Sequence, residues 1–117
     1  HLVSTIVGSL SAGSDSLDLL RDCFPGGSIT GAPKRRAMEI IRELEPHPRG
    51  AYCGCVFYAG SDGRMDSNIA IRTLQCEDGQ IHCWGGGGLV ADSTPETEFR
   101  ETWDKIGGLL TALETGP

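Results

Sequence analysis

The sequence contains no apolar run that approaches the roughly 20 residues of a transmembrane helix. Basic residues are also scarce, because 10 lysines and arginines stand against 16 aspartates and glutamates and give a formal net charge of −6. A nucleic-acid or anionic-membrane surface requires a basic patch. We therefore expect no nucleic acid and no membrane among the partners of this protein.

The paired-cysteine pattern of zinc and thioredoxin sites is missing as well. The five cysteines are an odd number, and none of them forms a C-x-x-C pair. Cys53 and Cys55 are separated by one residue and would share one face of a strand. We interpret all five as reduced, buried apolar residues, which is typical of a cytoplasmic protein.

The length of 117 residues allows one domain at most. The chain opens on His1 rather than on Met, and we expect that it starts inside a longer protein. No internal repeat or low-complexity segment is present. The sequence is thus expected to contribute a single structural unit.

Hydrophobic periodicity and turn signals predict an α+β fold, with an antiparallel sheet and flanking helices. The predicted helices span 15–23, 35–44 and 95–113, and the predicted strands span 2–12, 51–59, 65–76 and 81–84. Short turn signals separate the last three strands, which are expected to form one antiparallel meander. Ser14 or Asp15 is expected to cap the first helix, and Ser93 with Glu96 to cap the last.

The segment Pro25–Lys34 packs three glycines, two hydroxyl residues and two prolines into ten positions. Pro33 suits the first turn of the following helix, where a missing N–H costs nothing. Free N–H groups and the positive end of the helix dipole could bind a carboxylate or phosphate there. A tight turn that merely starts a helix is the alternative interpretation.

Four consecutive glycines, Gly85–Gly88, end the last predicted strand. Such a run carries a large conformational-entropy cost, which favours a place where backbone approaches a ligand. A flexible linker is the alternative, although a helix cap follows almost directly. Arg72, within a strongly β segment, could clamp a carboxylate or simply face water.

Glu98, Glu101 and Lys105 are spaced so that they share one face of the last predicted helix. Two carboxylates on one stripe can hold Mg²⁺ together with substrate oxygens. The alternative is a solvated face with an ordinary surface pair between Glu101 and Lys105. Spacing alone favours that alternative.

Taken together, these segments resemble the chorismate-utilising enzymes, the family of anthranilate synthase component I, aminodeoxychorismate synthase component I, isochorismate synthase and salicylate synthase. The matching segments are His1–Ser4, Gly26–Lys34, Met65-Asp66, Ile71–Thr73 and Gly86–Ser93. Their order and spacing make the resemblance specific. It implies that residues 1–117 are a C-terminal fragment of a chorismate-binding domain, within a larger fold of two antiparallel sheets.

Within this family, Pro25–Lys34 and Gly86–Gly88 look most like aminodeoxychorismate synthase component I. Anthranilate synthases more often carry Gly-Thr-(Leu/Val)-Ser-Gly-Ala-Pro-Lys in the first segment and Gly-Ala-Gly in the second. Phe57 and Trp84 depart from the family pattern, which usually has a glycine and a small residue at these positions. Both residues add bulk near the expected pocket.

The resemblance implies a role for ten residues of this chain. The expected substrate-binding residues are Ser28, Tyr52, Arg72, Gly86, Gly87 and Gly88. The expected metal ligands, for Mg²⁺, are Glu98 and Glu101. Lys105 is expected close to the substrate or the metal, and His1 matches a histidine that assists chemistry at the ring.

The implied reaction replaces the 4-hydroxyl of chorismate by ammonia and gives 4-amino-4-deoxychorismate for folate synthesis. A glutamine amidotransferase, as a subunit or a fused domain, would supply the ammonia. In the family, a further magnesium-binding glutamate and a nucleophilic lysine lie upstream of the matching segment, so we expect the isolated chain to be inactive. The alternatives are anthranilate synthase component I, which would release pyruvate, and a non-catalytic chorismate-binding-like module.

Overall fold

A computed structural model describes residues 2–115 and confirms the α+β class, with antiparallel strands flanked by helices. The helices are α1 (Ser16–Cys23), α2 (Gly27–Thr30), α3 (Lys34–Leu44) and α4 (Pro95–Thr115). The strands are β1 (Cys55–Ala59), β2 (Met65–Ile69), β3 (Thr73–Glu77) and β4 (Gln80–Trp84). None of the helices in this part of the chain is long and apolar enough to span a bilayer.

The first and third helices begin where local sequence predicts. Asp15 caps α1, because its carboxylate accepts the backbone N–H groups of Leu17 and Asp18, each at 2.9 Å. Pro33 occupies the cap position of α3 rather than its first turn. The helix α2 was not predicted and consists of one turn inside the glycine-rich segment.

The cap of α4 differs by one residue from the expected Ser93. Thr94 and Thr97 cap it reciprocally, since the Thr97 N–H donates to Thr94 Oγ1 at 3.4 Å and the Thr94 N–H donates to Thr97 Oγ1 at 3.3 Å. Pro95 takes the first helical position, so the preceding residue becomes the cap. The prediction of a box between Ser93 and Glu96 was therefore wrong.

The strands form two separate antiparallel hairpins, β1 with β2 and β3 with β4. The expected single strand over 65–76 is interrupted after Ile69, because Arg72 adopts a left-handed backbone conformation with φ +49°. The expectation of one meander was therefore wrong. The expected strand over 2–12 was also wrong, since those residues have no regular structure.

A bulge shortens β1 at its start. The Cys53 N–H donates to the Ala70 carbonyl at 2.7 Å, and the Ala70 N–H donates to the Gly54 carbonyl at 3.0 Å. Two residues thus oppose one, and Cys53 sits in the left-handed region with φ +64°. At the bulge the chain leaves the regular ladder, on one strand at Tyr52, before β1, and on the other at Arg72, after β2.

No side chain among residues 2–115 is fully buried. The accessible surface of the chain is 9770 Å². A compact protein of the same mass, 12.4 kDa, would expose about 6,100 Å². Large apolar side chains such as Val56 (69% exposed) and Leu89 (81%) face solvent. The cysteines are free, as predicted, but the expectation that they are buried was wrong, because Cys23 and Cys76 are exposed and the others are half-buried.

We expect Gly108→Ala to stabilise the protein by roughly 0.5–1 kcal/mol, because glycine is costly inside a helix. A Cβ at Gly108 would meet nothing within 4 Å. Urea unfolding of the full-length protein measures the change. Gly85→Ala is the matched control and should destabilise, since its Cβ would overlap Ile106. Destabilisation by Gly108→Ala would contradict this assignment.

Candidate functional site

A cleft of about 180 Å³ lies where α2, the β1 bulge, the 70–72 break and the glycine run meet. Seven of the ten predicted site residues line it: Ser28, Tyr52, Arg72, Gly86, Gly87, Gly88 and Lys105. These residues are far apart in sequence, so the fold brings them together. His1 lies outside the described residues, and its predicted role stays a prediction.

The glycine run is shaped by neighbouring side chains. A Cβ at Gly85 would overlap Ile106 of α4, and a Cβ at Gly86 would lie 2.6 Å from the Tyr52 hydroxyl. A Cβ at Gly87 would lie 2.7 Å from Glu98 Oε2, whereas one at Gly88 would meet nothing within 4 Å. The first three glycines thus allow close packing of the protein on itself, and the fourth leaves open space.

Lys105 joins α4 to the glycine run. Its ammonium group donates to the Gly86 carbonyl at 3.1 Å and pairs with Glu101 Oε1. The side chain is 29% exposed and lines the cleft. Spacing alone favoured an ordinary surface pair here, but this lysine is also anchored to backbone 19 residues away.

The carboxylates of Glu98 and Glu101 both lie close to Gly87. Glu98 Oε1 accepts the Ser93 hydroxyl at 2.6 Å, whereas Glu98 Oε2 is buried without a hydrogen-bond partner among the described residues. A Cβ at Gly87 would lie 3.8 Å from Glu101 Oε1 as well as close to Glu98. A buried carboxylate oxygen without a partner is costly unless a donor or cation reaches it.

These two carboxylates are a partial ligand set for a metal ion. Within residues 2–115, no group of three or more His, Cys, Asp and Glu side chains is arranged to hold one. Mg²⁺ often takes only one or two carboxylates and completes its shell with water and substrate oxygens. The unpartnered oxygen of Glu98 therefore fits the predicted ion, with Glu101 beside it.

Tyr52 presents a neutral phenol to the cleft. Burial, together with the neighbouring Cys53, raises the pKa of this phenol to about 12. Arg49 lies over the ring, with its guanidinium carbon 5.5 Å from the centroid, and its Nε donates to Glu45 at 2.7 Å. Near neutral pH, Tyr52 can thus donate a hydrogen bond to an anion.

Arg72 is exposed and forms no ion pair within the described part of the chain. Its left-handed backbone is a conformation that non-glycine residues seldom adopt, at a cost of about 1–3 kcal/mol. Because Arg72 forms no ion pair among the described residues, its guanidinium is not neutralised by a carboxylate of this part of the chain. It can bind one from outside, in the bidentate geometry that arginine favours.

Sequence reasoning missed the contacts that surround Tyr52. Arg49, Glu45 and Cys53 surround Tyr52, and the Trp84 ring stacks on it. No local pattern marked Glu45 and Arg49, which lie in a proline-rich connection, whereas Trp84 was expected only to add bulk near the pocket and its contact with Tyr52 was not predicted. Only the fold brings them to the tyrosine.

Comparison with known proteins gives a consistent set of matches. A family model described as chorismate binding enzyme matches residues 1–111. The chain is 57% identical over 114 residues to aminodeoxychorismate synthase component 1 of Escherichia coli (strain K12), which covers 97% of this chain and 25% of that protein. It is 53% identical over 113 residues to anthranilate synthase component 1 of Streptomyces coelicolor, covering 97% and 22%. The chain thus spans about a quarter of the length of these relatives.

We expect Gly86→Ala to displace the Tyr52 ring, because the new methyl group would lie 2.6 Å from its hydroxyl. Near-ultraviolet circular dichroism of the full-length protein should show an altered aromatic signal. Gly88→Ala is the matched control and should leave the spectrum unchanged, since its methyl group meets nothing within 4 Å. Identical spectra for the two variants would show that Tyr52 does not approach Gly86.

Proposed function

The chain belongs to the family of chorismate binding enzymes, and we propose that it is part of an enzyme that aminates chorismate at C4. Ammonia adds, water leaves, and the product is 4-amino-4-deoxychorismate. The observation that carries this proposal is the meeting of Arg72, Tyr52 and Lys105 beside Gly86–Gly88 in one cleft. A substrate with two carboxylates needs cations and hydrogen-bond donors in such an arrangement.

Several groups that line the cleft would together hold one carboxylate of the substrate. Arg72, without an internal partner among the described residues, would take one carboxylate bidentately. The neutral Tyr52 hydroxyl and the backbone of Gly86–Gly88 would donate to the oxygens of that carboxylate, with Ser28 also lining the cleft. Without side chains, the glycine backbone can lie close to the ligand.

Lys105 would act near the reacting ring. Its pairing with Glu101 and its hydrogen bond to the Gly86 carbonyl hold the ammonium at the edge of the cleft. A cation fixed there stabilises negative charge on the bound substrate without further reorganisation. His1 is proposed to assist the same chemistry, on the strength of the family motif alone.

Glu98 and Glu101 are the residues proposed to hold Mg²⁺. The buried, unpartnered Oε2 of Glu98 supports this assignment. When bound, the ion would neutralise a substrate carboxylate and fix its orientation. Glu98 is kept in place by the Ser93 hydroxyl, which donates to its other oxygen at 2.6 Å.

We further propose that the isolated chain is inactive. It spans about a quarter of its relatives' length, and its large apolar side chains have no cover among residues 2–115. The remaining ligands, the nucleophilic lysine and the covering layers would come from the rest of a longer protein. A glutamine amidotransferase, as a subunit or a fused domain, is proposed to supply ammonia.

Anthranilate synthase component I is the second candidate, because relatives with that name match nearly as well, at 53% identity against 57%. The segment Ser28-Ile29-Thr30 favours the first candidate, since it follows the aminodeoxychorismate synthase pattern. A non-catalytic chorismate-binding module is the third. It would bind chorismate without turnover.

Product analysis separates these candidates. The full-length protein, given chorismate, ammonia and Mg²⁺, should form 4-amino-4-deoxychorismate, and the isolated chain should form none. Release of pyruvate with anthranilate would support the second candidate. Binding without any product would support the third, and product from the isolated chain would overturn the proposal that it is inactive.

Arg72→Ala should weaken chorismate binding by about 10- to 100-fold, since a hydrogen bond to a charged group contributes roughly 1.5–3 kcal/mol. Isothermal titration on the full-length protein measures the dissociation constant. Arg64→Ala is the matched control, because Arg64 is an exposed arginine that pairs with Asp62 in the β1–β2 turn. Equal changes in the dissociation constant for the two variants would show that Arg72 does not bind the substrate.

Glu101→Gln should abolish the dependence of chorismate binding on Mg²⁺, because it removes a charged ligand of the proposed ion. Titrations with and without Mg²⁺ should differ for the wild-type protein and coincide for the variant. Glu96→Gln is the control, since Glu96 lies on the first turn of α4, whereas the three atoms nearest to a Cβ at Gly87 belong to Glu98 and Glu101. An unchanged Mg²⁺ dependence in Glu101→Gln would sink the metal assignment.

A further inference from the structure

Trp84 stacks on Tyr52 from behind the cleft. The two ring centroids are 6.0 Å apart and the ring planes differ by 12°, which is offset stacking. Trp84 is the last residue of β4 and directly precedes the glycine run, where it pairs with Thr73 across the hairpin. It does not line the cleft, whereas Tyr52 does.

Tyr52 is confined between Trp84 and the glycine backbone. Its hydroxyl approaches Gly86 so closely that a Cβ there would lie 2.6 Å away. Arg49 adds a third contact, with its guanidinium over the same ring. The ring of Tyr52 therefore has its face covered by the indole, while its hydroxyl lies close to the glycine backbone at the cleft.

We propose that Trp84 is a positioning residue, which holds Tyr52 in the orientation that presents its hydroxyl to a substrate carboxylate. The proposal rests on the proposed function for the identity of that substrate. A small residue at position 84 would leave the face of the Tyr52 ring without its stacking partner. The cleft would keep the same lining residues, but the Tyr52 hydroxyl would no longer be held in one orientation.

The stacked face of the indole carries this role, and its N–H does not. Trp84 Nε1 is buried and has no hydrogen-bond partner within residues 2–115. Phe would keep an aromatic face on Tyr52 and remove that unpartnered donor. Ala would remove the face, and it is therefore the informative substitution.

Kinetics of the full-length protein provide the first test. Trp84→Ala should raise the KM for chorismate about 3- to 10-fold, the range expected from losing one aromatic pair, and change kcat less than about twofold. Trp84→Phe should restore the KM to within about twofold of the wild-type value. A fall in kcat alone, or no rescue by Phe, would contradict positioning through the ring.

A double-mutant cycle shows whether Trp84 acts through Tyr52. In a Tyr52→Ala background, Trp84→Ala should change the KM by less than about twofold, because its partner is already gone. If the KM of the double variant rises by the product of the two single-variant increases, the two residues act independently and the proposal is overturned. Thermal unfolding of each variant confirms that the compared proteins are folded.

A ligand-free measurement separates this inference from the proposed function. With 3-fluorotyrosine incorporated, the Tyr52 fluorine resonance, assigned through Tyr52→Phe, should shift or broaden in Trp84→Ala and stay in Trp84→Phe. Trp103→Ala is the control, since Trp103 stacks edge-on with Phe99 on α4. An unresponsive resonance would overturn the positioning role, whereas a response without any chorismate binding would overturn only the proposed function.

Discussion

The space left by the missing side chains at Gly85, Gly86 and Gly87 determines how the rest of the site is assembled. Ile106, the Tyr52 hydroxyl and Glu98 each occupy one of these three positions. A methyl group at any of them would push away α4 or the tyrosine. The entropy cost of three flexible residues is thus offset by three close contacts, which bring a helix and a bulged strand to the end of one hairpin.

Backbone strain places the other half of the cleft. Cys53 and Arg72 both adopt left-handed conformations, at about 1–3 kcal/mol each. The paired hydrogen bonds of Ala70 with Cys53 and Gly54 hold this geometry. A continued β1–β2 register would make Tyr52 and Arg72 direct cross-strand partners, so the bulge and the left-handed residues take both out of the ladder at the point where they line the cleft.

The residues of the cleft contact one another, whereas the fold around them has no buried core among the described residues. A hydrogen bond joins Lys105 to Gly86, the Tyr52 hydroxyl lies close to Gly86, and the Tyr52 ring stacks on Trp84. By contrast, no side chain among the described residues is fully buried, and both hairpins expose apolar faces. The relatives are about four times longer than this chain. The polar contacts of the cleft are thus contained in a segment whose apolar surfaces require additional layers for stability.

The elements that depend on local interactions can be predicted from the sequence. The Asp15 cap, the start of α3 and the Asp78-Gly79 turn all follow from side chains and backbone preferences within a few residues. Family motifs also identified the residues that line the cleft. Tertiary structure alone decided the break at Arg72, the bulge at Cys53 and the stacking of Trp84 on Tyr52. The bulge and the stacking depend on partners 17 and 32 positions away, whose contacts outweigh local propensity and leave no periodic trace in the sequence.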